Sequence, residues 1–105
     1  ELQRNHGLHD GQQVLSRSWT RAAVTPHAAM DGQDYDYGYL WWLGQAESPA
    51  GEVSFAMMTG NGGNRVWVIE EEGLTVVLTK TEFNTAGMHE RADQFLSDAV
   101  LNHLQ

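Results

Sequence analysis

The stretch FAMMTGNGGNRVWVIEEEGLTVVLT, Phe55 to Thr79, decides the fold because it holds two apolar segments separated by a glycine-rich loop. Apolar and β-branched residues in VSFAMMT, NRVWVIE and LTVVLTK predict three β-strands. Asn61-Gly62 is the strongest short signal for a hairpin turn between the first two strands. Glu71-Glu72-Gly73 predicts a second hairpin, because Gly73 can take a positive φ without steric cost. The stretch therefore predicts three consecutive antiparallel strands.

The residues before this stretch predict one more strand and a short helix. YGYLWWLG, residues 37–44, is rich in aromatic residues, which favours a strand with both faces covered. QAESPAGE, residues 45–52, has the composition of a turn. VLSRSWTRAAVTP predicts a short helix that Ser16 caps and Pro26 ends. Residues 27–36, with Asp31-Gly32, predict a polar loop.

The C-terminal residues predict an amphipathic helix, because apolar side chains recur there at helical spacing. The predicted apolar stripe consists of Met88, Ala92, Phe95, Leu96, Ala99, Val100 and Leu104.

The whole sequence predicts an α+β fold in one domain, residues 1–105. We expect an antiparallel sheet of about three to four strands with a C-terminal amphipathic helix and a short N-terminal helix. Two helices are too few to cover both faces of so hydrophobic a sheet. We therefore expect part of the sheet surface to be covered by residues outside this chain.

Composition and charge exclude several classes of function. The chain has 105 residues, 41% of them apolar, which fits one globular domain with a real core. A net charge of −8 and only 6 scattered Lys and Arg residues argue against a nucleic-acid partner. No apolar run approaches the roughly 18 residues that cross a membrane. There is no cysteine, so disulfides and thiolate metal sites are excluded.

No complete catalytic or metal-binding set is found in the sequence. His6 and His9 have a spacing seen in metal sites, but no third ligand is near, so we predict no metal site. Asp34 and Asp36 lack the spacing of a calcium loop. No serine lies in Ser-x-x-Lys or Gly-x-Ser-x-Gly. No cofactor is predicted.

The glycine-rich loop has two interpretations. Asn61-Gly62 alone would make a turn, so Gly60 and Gly63 are in excess of what a turn needs. Glycines at a strand end also let a substrate approach the backbone, where an N–H can bind a developing oxyanion. The two interpretations are compatible.

The order GLHDGQQVLSRSWTRAAVTPH, YGYLWWL, MTGNGGNRVWVIEEEGLTVVLT and a final amphipathic helix resembles the C-terminal portion of the serine β-lactamase-like hydrolases. This penicillin-recognising family includes class C β-lactamases, D-alanyl-D-alanine carboxypeptidases, esterases and 6-aminohexanoate-dimer hydrolases. The resemblance covers about residues 7–104 and implies a β-lactamase-like fold. Of the three motifs of the family, only the third, Lys-Thr-Gly or a variant, has a match here. Ser-x-x-Lys and Tyr-x-Asn are absent and would lie upstream.

The resemblance implies a role for each residue of the loop. Met58, Thr59 and Gly60 would occupy the third motif, and the backbone N–H of Asn61 would serve the oxyanion hole. Gly62 would also contact substrate, and a register shifted onto Gly62 or Gly63 fits the pattern too. Met58 stands where many members carry Lys or His, which favours esterase or amidase relatives over recognition of a β-lactam carboxylate.

The implied function is ester or amide hydrolysis through an acyl-enzyme, with an ester, amide or β-lactam as the small-molecule substrate of the intact parent. Alone, the chain would be inactive, and a parent that has lost its nucleophile fits equally well. The resemblance implies a periplasmic or secreted location. An alternative function is a stand-alone, non-catalytic binding module that forms a homodimer through its exposed sheet surface.

Overall fold

The computed structural model describes residues 1–29 and 35–104 and has an α+β fold. Asp31-Gly32 and Asp34 of the predicted polar loop lie outside the described residues. The strands are β1 (Leu8–His9), β2 (Gln12–Gln13), β3 (Ala28–Ala29), β4 (Asp36–Tyr37), β5 (Trp42–Ser48), β6 (Gly51–Gly60), β7 (Asn64–Ile69) and β8 (Leu74–Leu78). The α-helices are α1 (Arg17–Ala23) and α2 (Met88–Ala99).

The main sheet is an antiparallel meander in which the strands lie in chain order, β3-β4-β5-β6-β7-β8. Three of the predicted strands correspond to β6, β7 and β8, whereas the fourth, residues 37–44, overlaps only the start of β5. The prediction of three to four strands was too low, because β3 and β4, of two residues each, extend the sheet. Strands β1 and β2 form a separate small hairpin in the first residues.

The segment YGYLWWLG is a hairpin turn followed by the start of a strand, so its prediction as one fully covered strand was wrong. Tyr37 pairs with Trp42, and the Gly38 N–H donates to the Trp41 carbonyl at 2.8 Å. Leu40 takes a positive φ of 65° and is 80% exposed. The Tyr39 N–H donates to the Ala23 carbonyl at 2.9 Å, and this close approach leaves no room for a side chain at Gly38. A Cβ at Gly38 would lie 2.1 Å from that oxygen.

The segment QAESPAGE is mostly strand, which corrects its prediction as a turn. Strands β5 and β6 pair from Trp42↔Met57 to Ser48↔Gly51, and only residues 49–50 form the turn. The Ser48 hydroxyl accepts from the Ala50 N–H at 3.1 Å and donates to the Gly51 carbonyl at 2.9 Å. Gly51 has a φ of 113°, so glycine allows this two-residue connection.

The predicted hairpin between the last two long strands is confirmed. A short 3₁₀ helix over Glu70–Glu72 follows β7, and Gly73 closes the turn in the left-handed region with a φ of 62°. The triple-glutamate segment is exposed, as expected for a charged hairpin tip.

The core forms between one face of the sheet and α2. Alternate residues of a strand face the same side, and the strand residues of this face are Val53, Phe55, Met57, Trp67 and Ile69. Ala92 and Leu96 of α2 and Leu101 after it complete the buried cluster. Trp67 and Ile69 are fully buried.

Both predicted helices are confirmed, with one change in the second. The Ser16 side chain caps α1 by accepting from the Trp19 N–H at 3.1 Å. Helix α2 ends at Ala99, and a 3₁₀ turn over Leu101–His103 brings Leu101 into the core. Phe95, predicted in the apolar stripe, is 40% exposed, because the buried side of α2 is narrower than that stripe.

The opposite side of the sheet, which we call the open face, is apolar along two rows of paired residues. Met58, Val66 and Val77 form one row across three strands, and Met58 and Val77 are 45% and 63% exposed. Ala56 and Val68 of the other row are buried beside a cavity of about 450 Å³. Val24 and Pro26, which follow α1, line the other side of this cavity. Among the described residues, no helix is long and apolar enough to span a bilayer.

The neighbours Leu96 and Phe95 offer a matched test of which side of α2 stabilises the fold. We expect Leu96→Ala to lower the free energy of unfolding by about 2–5 kcal/mol, because it opens a cavity beneath Trp67. Phe95→Ala, on the exposed side, should cost much less. Urea unfolding followed by circular dichroism measures both values. Equal losses for the two variants would contradict this packing.

Candidate functional site

The glycine-rich loop connects β6 to β7 and is closed by the pairing of Gly60 with Asn64. Residues 61–63 form the turn, so the hairpin predicted from Asn61-Gly62 is confirmed. The loop lies against the connection from β8 to α2, residues 79–87, which we call the clamp segment. A bridge between Gly62 and Glu82 joins them, with the Glu82 N–H donating to the Gly62 carbonyl at 3.2 Å.

Two glycines of the loop are required by the turn itself. Gly62 and Gly63 have φ values of 94° and 82°, where a Cβ is strained. Their surroundings are also tight. A Cβ at Gly62 would lie 2.9 Å from the ring of Phe83, and one at Gly63 would lie 3.1 Å from the Met88 carbonyl. Gly63 is therefore not in excess of the needs of the turn, contrary to the expectation from sequence.

Gly60 differs from both, because neither its backbone conformation nor its surroundings require glycine. Its φ lies outside the left-handed region. A Cβ there would meet only the Cβ of Asn64, at an ordinary contact distance of 3.6 Å. Gly60 is also exposed, at the last position of β6. The bare backbone at this position therefore has no structural explanation within the fold.

Asn61 is held by its side chain. Its Nδ2 donates to Oδ1 of Asn84 at 3.0 Å, and the Asn84 N–H donates to Oδ1 of Asn61 at 3.0 Å. Asn84 takes a positive φ of 53°, a conformation that asparagine tolerates well. This reciprocal pair fixes the exposed turn to the clamp segment.

A second asparagine connects the base of the loop to the same segment. The Nδ2 of Asn64 donates to the Asn61 carbonyl at 2.7 Å, and its Oδ1 accepts from the Lys80 N–H at 2.9 Å. Gly62 lies beneath Phe83 and is buried, and its N–H donates to Sδ of Met88 at 3.3 Å. Of the predicted site residues, Gly62 is thus covered, whereas Met58, Thr59, Gly60 and Asn61 are exposed.

Met58 and Thr59 lie on opposite sides of the sheet. Met58 belongs to the open face, and Thr59 faces the same side as the core residues of β6. The Thr59 hydroxyl accepts a hydrogen bond from Nη1 of Arg65, the residue paired with it on β7. The two side chains therefore cannot contact the same small ligand, although the backbone that joins them is continuous with Gly60.

Arg65 is a buried cation that the sequence analysis did not single out. Its side chain is 4% exposed, and Nη2 lies 3.5 Å from Oδ1 of Asp93 on α2. Its Nε has no hydrogen-bond partner among the described residues. A signal was available in the sequence, because Arg65 has the same strand parity as Trp67 and Ile69, which face the core.

A partly exposed ion-pair cluster holds the clamp segment in place. Glu82 contacts Nζ of Lys80, and its Oε2 accepts from Nε of Arg91 at 2.6 Å. The hydrogen bond from Arg91 and then that from Lys80 hold the pKa of Glu82 below its ordinary value of 4.5. At neutral pH, Glu82 is therefore ionised and ties the clamp segment to α2.

The rest of the described chain supplies no nucleophile or metal centre. Among the described residues, no serine hydroxyl bonds to a histidine, lysine or carboxylate side chain. No group of three or more His, Asp or Glu side chains there is placed to hold a metal ion. His6 instead contacts Glu70, with 3.0 Å between Nδ1 and Oε1. The cavity on the open face reaches β6 only at residues 54–56, roughly 13 Å along the strand from Gly60.

The chain matches no known protein-family model and no curated protein sequence.

Gly63 and Gly60 give a matched test of which loop glycine the fold requires. We expect Gly63→Ala to lower the free energy of unfolding by about 1–3 kcal/mol, because the new Cβ is strained at positive φ and crowds the Met88 carbonyl. Gly60→Ala should change stability by less than about 1 kcal/mol in either direction. Chemical denaturation of both variants checks this. A large loss of unfolding free energy in Gly60→Ala would show that the fold itself requires this glycine.

Acid should weaken the clamp segment through Glu82. Because the folded-state pKa is lowered, the stabilisation is complete above the unfolded value of 4.5 and is lost as pH falls through the folded pKa. We expect the stability difference between the wild type and Glu82→Gln to be largest above pH 4.5 and to shrink in more acidic buffer. Urea unfolding across a pH series gives this difference. A difference that is independent of pH would refute the assignment.

Proposed function

We propose that this chain is the C-terminal portion of a β-lactamase-related serine hydrolase and supplies the third-motif strand and the oxyanion-hole backbone. The reaction is ester or amide hydrolysis through an acyl-enzyme. The nucleophilic serine and its base, in Ser-x-x-Lys, lie outside these 105 residues, and so does Tyr-x-Asn. The chain by itself is catalytically silent.

Gly60 is the observation that carries the proposal. The turn explains Gly62 and Gly63, but no contact or backbone angle explains Gly60. Because glycine has no side chain, an acyl group can approach the backbone closely at this exposed strand end. The next residue, Asn61, is exposed and fixed by its side chain to Asn84. A donor held in advance stabilises a developing oxyanion without reorganisation.

In the proposed hydrolase, the part of the protein that carries the nucleophilic serine packs against the open face of the sheet. The row Met58, Val66 and Val77 leaves large apolar side chains in water. Such a surface favours cover by another part of a protein. Met58 belongs to this row, so the third-motif strand borders the uncovered surface. A serine presented from that side would reach the end of β6.

The residues of the loop then have distinct roles in acyl transfer. The Asn61 N–H donates to the oxygen that becomes negative when the serine attacks the carbonyl carbon. Gly60 and the backbone of Thr59 line the path of the acyl group, while Arg65 fixes the Thr59 side chain on the other side of the sheet. Met58 offers no charge, so the preferred substrates lack a carboxylate at the position that Lys would bind. Gly62 reaches substrate only after Phe83 moves away from it.

The alternative function, a non-catalytic binding or dimerisation module, rests on the same open face. Two copies that pack through the Met58, Val66 and Val77 rows would remove this apolar surface from water. In that case, Gly60 would have no special role. The two functions therefore differ in what happens at Gly60 and in whether the isolated chain associates.

Active-site labelling of the full-length gene product tests the proposed hydrolase. We expect a fluorophosphonate probe to label one serine, in a Ser-x-x-Lys sequence outside the 105 residues. Gly60→Val should slow p-nitrophenyl acetate hydrolysis roughly 10²–10³-fold, the range for loss of one oxyanion donor. Gly60→Ala is the matched control and should lose much less, because its side chain is smaller.

A full-length product that is not labelled, or a Gly60→Val variant with unchanged turnover, would contradict the hydrolase. Sedimentation equilibrium of the 105-residue chain then tests the alternative. A dimer that Val77→Glu dissociates would support the binding module, and a monomer that stays soluble at high concentration would exclude it.

A further inference from the structure

Asn61 and Gly62 form the one Asn-Gly pair in this sequence, and in the loop Asn61 is exposed whereas Gly62 is buried. Asparagine followed by glycine is chemically labile, because glycine puts no side chain in the way of attack by its own backbone nitrogen. Asparagine is among the residues that proteins from hot environments use sparingly for such reasons. The chain has four other asparagines, at positions 5, 64, 84 and 102, and none precedes glycine.

We propose that Asn61 is a site of spontaneous deamidation, and that Asn84 and Met88 suppress the reaction in the folded state. In this reaction, the Gly62 nitrogen attacks Cγ of Asn61. The new N–Cγ bond forms, the Cγ–Nδ2 bond breaks, and the Nδ2 group leaves as ammonia with the former amide proton. Water then opens the succinimide ring at either carbonyl, which gives aspartate or isoaspartate at position 61. No electron transfer is involved.

Both reacting groups are occupied in the fold. The amide of Asn61 is held by the two 3.0 Å hydrogen bonds to Asn84, so Cγ cannot turn onto the Gly62 nitrogen until these bonds break. The Gly62 N–H donates to Sδ of Met88 at 3.3 Å, beneath the ring of Phe83. The Asn61 carbonyl is also fixed, by Nδ2 of Asn64 at 2.7 Å. The contacts with Asn84, Met88 and Asn64 therefore control the rate of the reaction.

The two products alter the loop to different degrees. A carboxylate at position 61 cannot donate to Oδ1 of Asn84, so aspartate restores the pair only when the Asn84 amide turns over and donates through its own Nδ2. Isoaspartate adds a backbone atom to a turn whose length is fixed by the pairing of Gly60 with Asn64. Formation of isoaspartate therefore releases the clamp segment from the loop, and the loss of ammonia does not reverse.

Variants at Asn84 can remove the contact that protects Asn61 while the protein keeps its fold. Asn84→Gly removes Oδ1 but keeps a residue that takes the positive φ of this position. Asn84→Asp keeps an acceptor for Nδ2 of Asn61 and so serves as the rescue. Asn102, exposed near the C-terminus, is an internal reference, because no Asn84 variant alters its surroundings.

The experiment follows deamidation during incubation at neutral pH, by peptide mass spectrometry and an isoaspartyl methyltransferase assay. Relative to the folded wild type, we expect Asn84→Gly to react roughly tenfold faster at Asn61, because it loses the hydrogen bond from Nδ2 of Asn61 to Oδ1 of Asn84 and keeps the one from the backbone N–H of residue 84. Asn84→Asp should react like the wild type, and wild type unfolded in urea should react fastest. Asn102 should react equally in all folded samples.

A folded wild type that deamidates at Asn61 as fast as the unfolded chain would overturn the proposal. So would an Asn84→Gly variant that folds, as judged by circular dichroism, but reacts no faster than wild type. If Asn84→Gly does not fold, Met88→Leu gives the second measurement. It removes the sulfur acceptor at similar volume and should also accelerate the reaction, and an unchanged rate would overturn the proposed protection of the Gly62 N–H by Met88.

Discussion

The register between β6 and β7 is the constraint on which the rest of the structure depends. Gly60 pairs with Asn64, and the left-handed conformations of Gly62 and Gly63 close the chain between them. Because side chains alternate along a strand, a slip of one residue would move Trp67 and Ile69 to the other side of the sheet. The buried cluster with α2 would then have no counterpart. A turn of three residues thus determines which face of the sheet becomes the core.

The same turn is where structure and proposed chemistry meet. Gly62 and Gly63 are needed for the positive φ angles of the turn, whereas Gly60, which precedes the turn, is not. The asparagines at positions 61, 64 and 84 fix the turn to the clamp segment, and Glu82 fixes the clamp segment to α2. Order at the loop therefore comes from polar contacts at the surface more than from burial. Such contacts hold a backbone donor in place while leaving it in reach of a ligand.

Strands β6 to β8, the second hairpin and the helix cap at Ser16 could be predicted from the sequence, because each depends on residues close together in the chain. The turn within YGYLWWLG could not be predicted, because its aromatic residues favour a strand whereas the turn is held by a hydrogen bond from Tyr39 to the Ala23 carbonyl, which is distant in the sequence. In α2, the periodicity predicted an apolar stripe that was too broad. Only the structure shows that Leu96 is buried in the core cluster and that Phe95 is exposed.

In the candidate site too, features that depend on neighbouring residues could be predicted, whereas contacts between residues distant in the chain could not. The excess of glycine in the loop was evident from the sequence, but the distinction between Gly60 and Gly63 required the position of the Met88 carbonyl. Asn84 and Met88 contact the loop from more than twenty residues away, so no local pattern could have identified them. Arg65 is the exception, because a charged residue at a core position of a strand was visible in the sequence.

The order of the strands has a kinetic consequence. Every strand of the main sheet pairs with its neighbour in the chain, so each hairpin closes a short loop of polypeptide. Proteins with such low contact order fold quickly, because little chain entropy is lost before each new contact forms. The sheet can therefore assemble hairpin by hairpin, whereas the docking of α2 joins residues far apart in sequence. We expect that docking to be the late step, completed when Leu96 and Leu101 close over Trp67.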